Sequence, residues 1–405
     1  MLMEGQATES LAKVADLIEV TPHDHNLHVL QANIYRQQLR YAEAIGSLRL
    51  ALELSPSNAR ILELLSDSYN QQGQHVQAEQ AAHALYLLDT ANLVNAFRLA
   101  TIWQAQGRQS KALEMFEQVA AADTANMLFI RSLCDSYVRN REMEVAAECY
   151  EYALTLDSLN TQLLLSLANV HFRLREFIAS AEVAKRGCAI DPTNAEFFKI
   201  TGLSFFRVGQ MKMAASQLKQ AYSLGDTSAL VSRHLGIASL QIEEFDDALF
   251  HLKRAYVDDS MNVETLYFFG TVLSYRDKLE ARRLLRKAIQ LMQPDSLALS
   301  LVYESDAFIS TSTSQFAEAH ELYSKAYSLN PQKSSLLYSM ALNLFSMKNY
   351  QASLDMFRRY LREIGESEDG PINTRNPNVS STRYYIRKLK EELFFQDRGD
   401  AIGKI

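Results

Sequence analysis

The chain has 405 residues, 47% of them hydrophobic and 22% charged, a balance that excludes wholesale disorder. Lys and Arg number 41 against 48 Asp and Glu, a formal charge of −7, so the global positive field of a nucleic-acid binder is missing. No apolar run of about 18 residues exists to span a bilayer. Cys134, Cys149 and Cys188 lack C-x-x-C spacing, which excludes a dense disulfide framework or a zinc knuckle; all three are expected as core thiols. With only 14 Gly and 7 Pro, the chain reads as helices joined by short connections.

The first predicted element is a helix over residues 4–20. Beyond it the prolines mark a period. Thr21-Pro22, Ser55-Pro56, Asp191-Pro192, Gln293-Pro294 and Asn330-Pro331 share similar settings. Pro22 and Pro56 are 34 residues apart, Pro56 and Pro192 four times that, and Pro192 and Pro294 three times. A fixed spacing of this size signals stacked supersecondary units. With Pro56 as position 32, units begin near 25, 59, 93, 127, 161, 195, 229, 263, 297 and 334. Position 8 is small throughout, from Ala32 through Cys134, Gly202, Gly236 and Gly270 to Ala341. Position 20 is small too, from Ala44 to Ser180 and Ser353, while position 24 is mostly large and apolar, as in Leu48, Phe116, Tyr150 and Phe357. Two helices cross closely only where small residues let their backbones approach. Gly73, Gly107 and Gly209 at position 15 suit a left-handed turn between them.

Aromatic residues at position 11 (Tyr35, Tyr69, Trp103, Tyr137, Phe205), small residues at 8 and 20 and proline at 32 resemble the tetratricopeptide repeat family. The resemblance covers roughly 85% of the chain and implies an all-α right-handed solenoid of ten helix-turn-helix repeats over 25–366. Arg141 and Arg175 depart from it in place of the turn glycine, as do Ser239 and Ser310 in place of the aromatic at 11. The eighth repeat loses one residue in its internal turn and regains one before Pro294. The ninth carries about three extra residues near 297–299. Residues 1–24 read as a half-repeat, its helix being the second of a pair. Such a half-repeat is either a natural cap or the end of a repeat begun upstream. If Met1 is the true start the chain is expected in the cytoplasm; an upstream signal segment would instead direct export. Residues 367–381 read as a loop and 382–405 as a capping helix with a frayed tail, Ile386, Leu389 and Leu393 forming its apolar face.

Motifs of catalysis are missing: there is no phosphate-binding loop, G-x-S-x-G or H-E-x-x-H. The run Pro22-His23-Asp24-His25-Asn26-Leu27-His28 contains donors for a divalent metal, but reads better as a helix start capped by Asp24. Glu243-Glu244-Phe245-Asp246-Asp247 reads as carboxylates complementing a helix dipole. No catalytic residue, metal or cofactor is expected.

In the family it resembles, positions 2, 5, 9 and 12 of the first helix line a concave groove. Carried onto this chain, they start polar (Asn33, Arg36, Asp67, Asn70) and become apolar and aromatic from the fifth repeat on. Arg139, Arg173 and Arg207 recur at position 13, 34 residues apart. The resulting candidate groove comprises Phe97, Arg131, Arg139, Asn169, Phe172, Arg173, Lys199, Phe206, Arg207, Arg233, Tyr267 and Phe308. It also extends to Tyr338, Leu342 and Phe345, its aromatics either open to a partner or packed against the next repeat or under the C-terminal helix. It suits a protein or peptide partner with apolar anchors and acidic groups. Family members that clamp a terminal carboxylate use Lys at 5 and Asn at 9; here that pair never coincides, since Lys199 is followed by Leu203. The expected function is a non-catalytic interaction scaffold. The alternative is a structural subunit self-associating through the array ends or the C-terminal helix.

Overall fold

The computed structural model describes the backbone of residues 2–291, 296–370 and 376–402, and the side chains of 8–291, 296–370 and 376–393. Pro294, Pro371 and residues 403–405 lie outside them. Among the described residues all regular structure is helical, and no helix is long and apolar enough to cross a membrane. The chain divides into two units, Met1–Pro192 and Thr193–Ile405.

Unit 1 begins with α1 (Leu2–Val20). Five helix pairs follow: α2 (His25–Gln37) with α3 (Tyr41–Leu54), α4 (Ala59–Gln71) with α5 (His75–Leu88), α6 (Leu93–Ala105) with α7 (Gln109–Ala122), α8 (Met127–Asn140) with α9 (Met143–Leu156), and α10 (Thr161–Arg173) with α11 (Phe177–Ile190). Unit 2 has five more: α12 (Ala195–Arg207) with α13 (Met211–Ser223), α14 (Ala229–Gln241) with α15 (Phe245–Asp258), α16 (Val263–Leu273) with α17 (Lys278–Leu291), α18 (Ser296–Ser312) with α19 (Phe316–Leu329), and α20 (Ser335–Ser346) with α21 (Tyr350–Glu363). The last helix is α22 (Pro377–Ile402). Within each unit successive pairs pack side by side, so each unit is an α-solenoid built of helix-turn-helix repeats.

Eight of the first helices, α2 to α16, start on a side-chain cap. Asp24, Asn58, Asn92, Asn126, Asn160, Asn194, Ser228 and Asn262 recur at position 34. Each accepts a hydrogen bond from a backbone N–H of the following first turn. Such a cap satisfies an otherwise orphaned donor and stabilises a helix by about 1 kcal/mol. The cap lies two residues after the proline position of the repeat.

Each first helix also ends alike. Position 15 is left-handed in nine repeats whether or not it is glycine: Gly73, Gly107 and Gly209, but also Leu39, Arg141, Arg175, Glu243, Ser314 and Lys348, with φ between 58° and 81°. The turn geometry is imposed by packing and overrides residue preference. The exception is the eighth repeat, where the missing residue shortens α16 and the turn at 274–277 contains no left-handed residue. In the ninth, the extra residues lengthen α18 by a turn rather than forming a loop.

The helices of a pair cross at positions 8, 20 and 24. A Cβ on Gly202 or Gly236 would stand 2.7 Å from Leu218 or Leu252 Cγ, and on Gly270 2.9 Å from Leu285 Cγ. Where position 20 is serine, its hydroxyl donates across the crossing: Ser180 to the Ala168 carbonyl and Ser353 to that of Ala341. These contacts form the core, with Leu48, Leu99, Phe116, Leu218, Leu252 and Phe357 almost wholly buried.

The last helix starts five residues earlier than expected. Pro377 takes the first turn, where a missing N–H costs nothing, and Asn376 accepts from the Asn378 N–H. The described backbone of the helix continues to Ile402. Val379, Ile386 and Leu389 are buried against α20 and α21, with Leu393 packed alongside. Arg383, 2% exposed, bonds the Glu366 carboxylate and the Ser367 carbonyl and ties the helix to the preceding loop.

Two substitutions test this account by urea denaturation. Gly236→Ala overfills the crossing and is expected to lower stability by about 1–3 kcal/mol. Arg141→Gly relieves a left-handed side-chain conformation worth about 1–2 kcal/mol and loses about 0.4–1 kcal/mol through chain entropy, so the midpoint should rise slightly.

Candidate functional site

The candidate residues fall into two sets, one on each unit. In unit 1, Phe97 is half-buried, its ring packing on Phe116 and Phe129 at 5.5 and 5.2 Å. It serves the core first and offers one edge to a shallow cavity of about 340 Å³ shared with Asp67, Asn70, Arg98, Thr101 and Leu128. Arg131, Arg139, Asn169 and Arg173 are exposed on α8 and α10. Asn169 donates its amide back to the Leu165 carbonyl at 3.0 Å. Phe172 is half-buried, edge-on to Phe177.

In unit 2, Phe206 is half-buried and edge-on to His234 at 4.9 Å, while Arg207 is exposed. Tyr267 packs on Phe268 and lines an apolar cavity of about 360 Å³ with Val263, Ala298, Leu301 and Val302. Phe308 is 52% exposed. Tyr338, Leu342 and Phe345, expected in the groove, instead pack against α22, with Phe345 5.2 Å from the Tyr385 ring. The capping helix covers what the repeat pattern alone would leave open.

Charge separates the two sets more sharply than polarity. Lys199 bridges Glu196 and Asp226, and Arg233 bridges Glu264. Burial works against the charge on Lys199, yet its hydrogen bonds to Glu196 and its attraction to both carboxylates raise its pKa. Both were candidates for the groove, and both are neutralised by carboxylates of their own chain. Near the start of the chain Arg36, Arg60 and Arg98 are paired with Glu63 and Asp67 in the same way. Burial raises the Asp67 pKa against the pull of Arg98 and Arg36. Arg98, at position 6, was not a candidate; Glu63 and Asp67 one repeat earlier were the available signal. By contrast, Arg131, Arg139 and Arg173 in unit 1, and Arg207 in unit 2, have no ion pair among the described residues.

Asp24 caps α2 by accepting from the Asn26 N–H at 2.9 Å. Among the described residues no three His, Cys, Asp or Glu side chains are grouped to hold a metal ion.

The cysteines require a correction. Cys134 and Cys149, expected as core thiols, form a disulfide between α8 and α9, with Cα atoms 5.4 Å apart; Cys188 is not disulfide-bonded. Position 8 is where the two helices approach most closely, so a thiol there faces the second helix. A second cysteine at position 23 of the same repeat was the signal in the sequence.

Reduction is expected to lower the thermal midpoint. Closing a loop of 15 residues stabilises by about 3 kcal/mol. Cys134→Ala/Cys149→Ala should show the loss without reductant and no further response to it.

Two histidines give a pH dependence. Burial lowers the pKa of His234, although its Nδ1–H donates to the Leu230 carbonyl, and burial lowers that of His251 against the pull of Asp247. The unfolded chain then takes up the proton first. The stabilisation is complete above the ordinary value of about 6.5 and is lost as pH falls through it towards the depressed folded values. Calorimetry from about pH 7.5 to 5.5 should show a falling midpoint, and His234→Phe/His251→Phe should reduce that fall.

With this geometry in place, comparison with known proteins is direct. A family model described as tetratricopeptide repeat matches residues 5–91 and 133–195. No curated protein matches the chain. Among solved structures, YrrB, described as a TPR protein with an unusual peptide-binding site, aligns over 48% of this chain and 98% of its own at 18% identity and a TM-score of 0.43. A tetratricopeptide repeat protein from Parabacteroides merdae ATCC 43184 aligns over 61% and 99% at 15% identity and 0.45. A chain of the APC/C hetero-tetramer Cut9-Hcn1 aligns over 95% and 94% at 12% identity and 0.44.

Proposed function

For a chain whose residues 5–91 and 133–195 carry tetratricopeptide repeats and whose other helix pairs fold alike, we propose a non-catalytic protein-interaction scaffold. It binds a partner segment on the first-helix faces of its repeats. On unit 1 the segment is acidic and lies across α8 and α10, where Arg131, Arg139 and Arg173 meet its carboxylates. Asn169 offers a polar contact there, and Phe172 and Leu165 an apolar one. On unit 2 the apolar cavity at Tyr267 and the exposed Phe308 seat an aliphatic or aromatic side chain.

One observation carries this reading. Most first-helix cations are neutralised by a carboxylate of their own chain, but Arg131, Arg139 and Arg173 are exposed without an ion pair among the described residues. An arginine fork recognises carboxylates through paired hydrogen bonds, and steering by unscreened charge raises the encounter rate.

Selection from a displayed peptide library should enrich acidic segments with one or two large apolar residues. Arg131→Ala/Arg139→Ala/Arg173→Ala, with unchanged helicity, should weaken the selected peptides roughly tenfold, the equivalent of about 1.4 kcal/mol, and flatten the salt dependence. Undiminished binding by that variant would remove the proposed face.

A further inference from the structure

The second helices of the repeats show a different pattern, independent of the groove. In unit 1, α3, α5, α7 and α9 each carry more carboxylates than Lys and Arg. The extreme is α9, with three glutamates and no cation. Glu144, Glu148 and Glu151 follow one another at helical spacing and share one face. All three are exposed, and Glu144 and Glu148 have no ion pair among the described residues. Two large apolar side chains stand beside them, Val145 at 41% and Tyr152 at 46% exposure. Tyr152 also borders a groove of about 410 Å³ walled by Ala120, Ala121, Ile130 and Leu133.

Unit 2 contains the opposite surface. The α17 helix has five Lys and Arg against one glutamate. Its outer stripe runs Leu279, Arg283, Arg286 and Gln290 along a cavity of about 590 Å³. Leu279 is 84% exposed. The charge is only partly compensated. Arg283 pairs with Glu280 one turn away on the same exposed surface, an arrangement worth little. Arg286 shares Asp306 and Glu318 with Arg282. Lys287 bonds a backbone carbonyl, that of Ser260, rather than a carboxylate.

We propose that the occupant of each face is a second copy of this chain, with α9 of one copy lying along α17 of the next. The charges are opposite, each stripe runs along one helix of 14 residues, and each carries an exposed apolar side chain that borders an open groove. Glu144 and Glu148 of one copy face Arg283 and Lys287 of the other, and Tyr152 and Leu279 enter the partner's groove. Because the two faces differ, the contact is heterologous: it closes into a ring or dimer or grows a chain, and the assembly depends on concentration.

The test uses the full chain in sedimentation velocity. At roughly 50 mM salt the mean mass should rise with concentration, and at roughly 0.5 M it should fall towards the monomer, since exposed charges are then screened. Glu144→Lys/Glu148→Lys makes both faces basic; Arg283→Glu/Gln290→Glu weakens the basic face and leaves the Arg282–Asp306 network intact. Each variant alone should stay monomeric. Their equimolar mixture should associate again, because each then offers the charge that the other lost. The neutral Glu144→Gln/Glu148→Gln variant, with an unchanged melt, should shift association in the same direction if either reversal impairs folding. A wild-type chain that stays monomeric at low salt would overturn the proposal. So would association that survives the reversals, or a mixture that fails to restore it.

Discussion

The close crossing of two helices at a residue no larger than a serine or cysteine is the constraint on which this structure depends. At position 8 the first helix lies so near the second that glycine alone fits in three consecutive repeats, against Leu218, Leu252 and Leu285. Packing free energy at this point is steep in distance, since an added methyl must displace a side chain or a backbone. The crossing fixes which way each first helix faces, and so which side chains remain for a partner. It also explains the disulfide: Cys134 occupies the closest approach, and Cys149 lies within bonding reach on the opposite helix.

The ends of the first helices follow from that packing. An Asx or serine cap begins eight of them, and a left-handed residue ends nine. The cap is local chemistry, a side-chain oxygen satisfying an N–H that has no helical partner. The left-handed residue is not local. Leu39, Arg141 and Lys348 adopt a conformation that their own preferences oppose, because the crossing requires the chain to reverse at that point. Tertiary packing outweighs a penalty of about 1–2 kcal/mol in each such turn.

Electrostatics then divides the surface. Carboxylates of an adjacent repeat neutralise Arg36, Arg98 and Arg233, and these pairs bind repeat to repeat, while Lys199 is neutralised within its own repeat by Glu196 and by Asp226 in the connection before α14. Arg131, Arg139, Arg173 and Arg207 on the first helices have no ion pair among the described residues, although the whole chain is acidic. On the second helices the excess is negative around α9 and positive around α17. Net charge is therefore a poor guide to what any one face attracts.

The repeat, its period, the helix pairs and the small-residue crossings were all legible in the residues, because a 34-residue spacing carries the packing code directly. The one-residue loss in the eighth repeat was legible as well. The cap at position 34 is equally present, in Asn58, Asn92 and their equivalents. Other features depended on side chains far apart in sequence. The neutralisation of Lys199 needs Asp226, and that of Arg233 needs Glu264. The covering of Tyr338 and Phe345 needs a helix that starts more than 30 residues later. Sequence by itself determined the architecture, because helix periodicity and crossing size are properties of neighbours within one repeat. Only the tertiary structure decided which charges stay free, which aromatics stay open and which cysteines pair, because each of those depends on distances between helices.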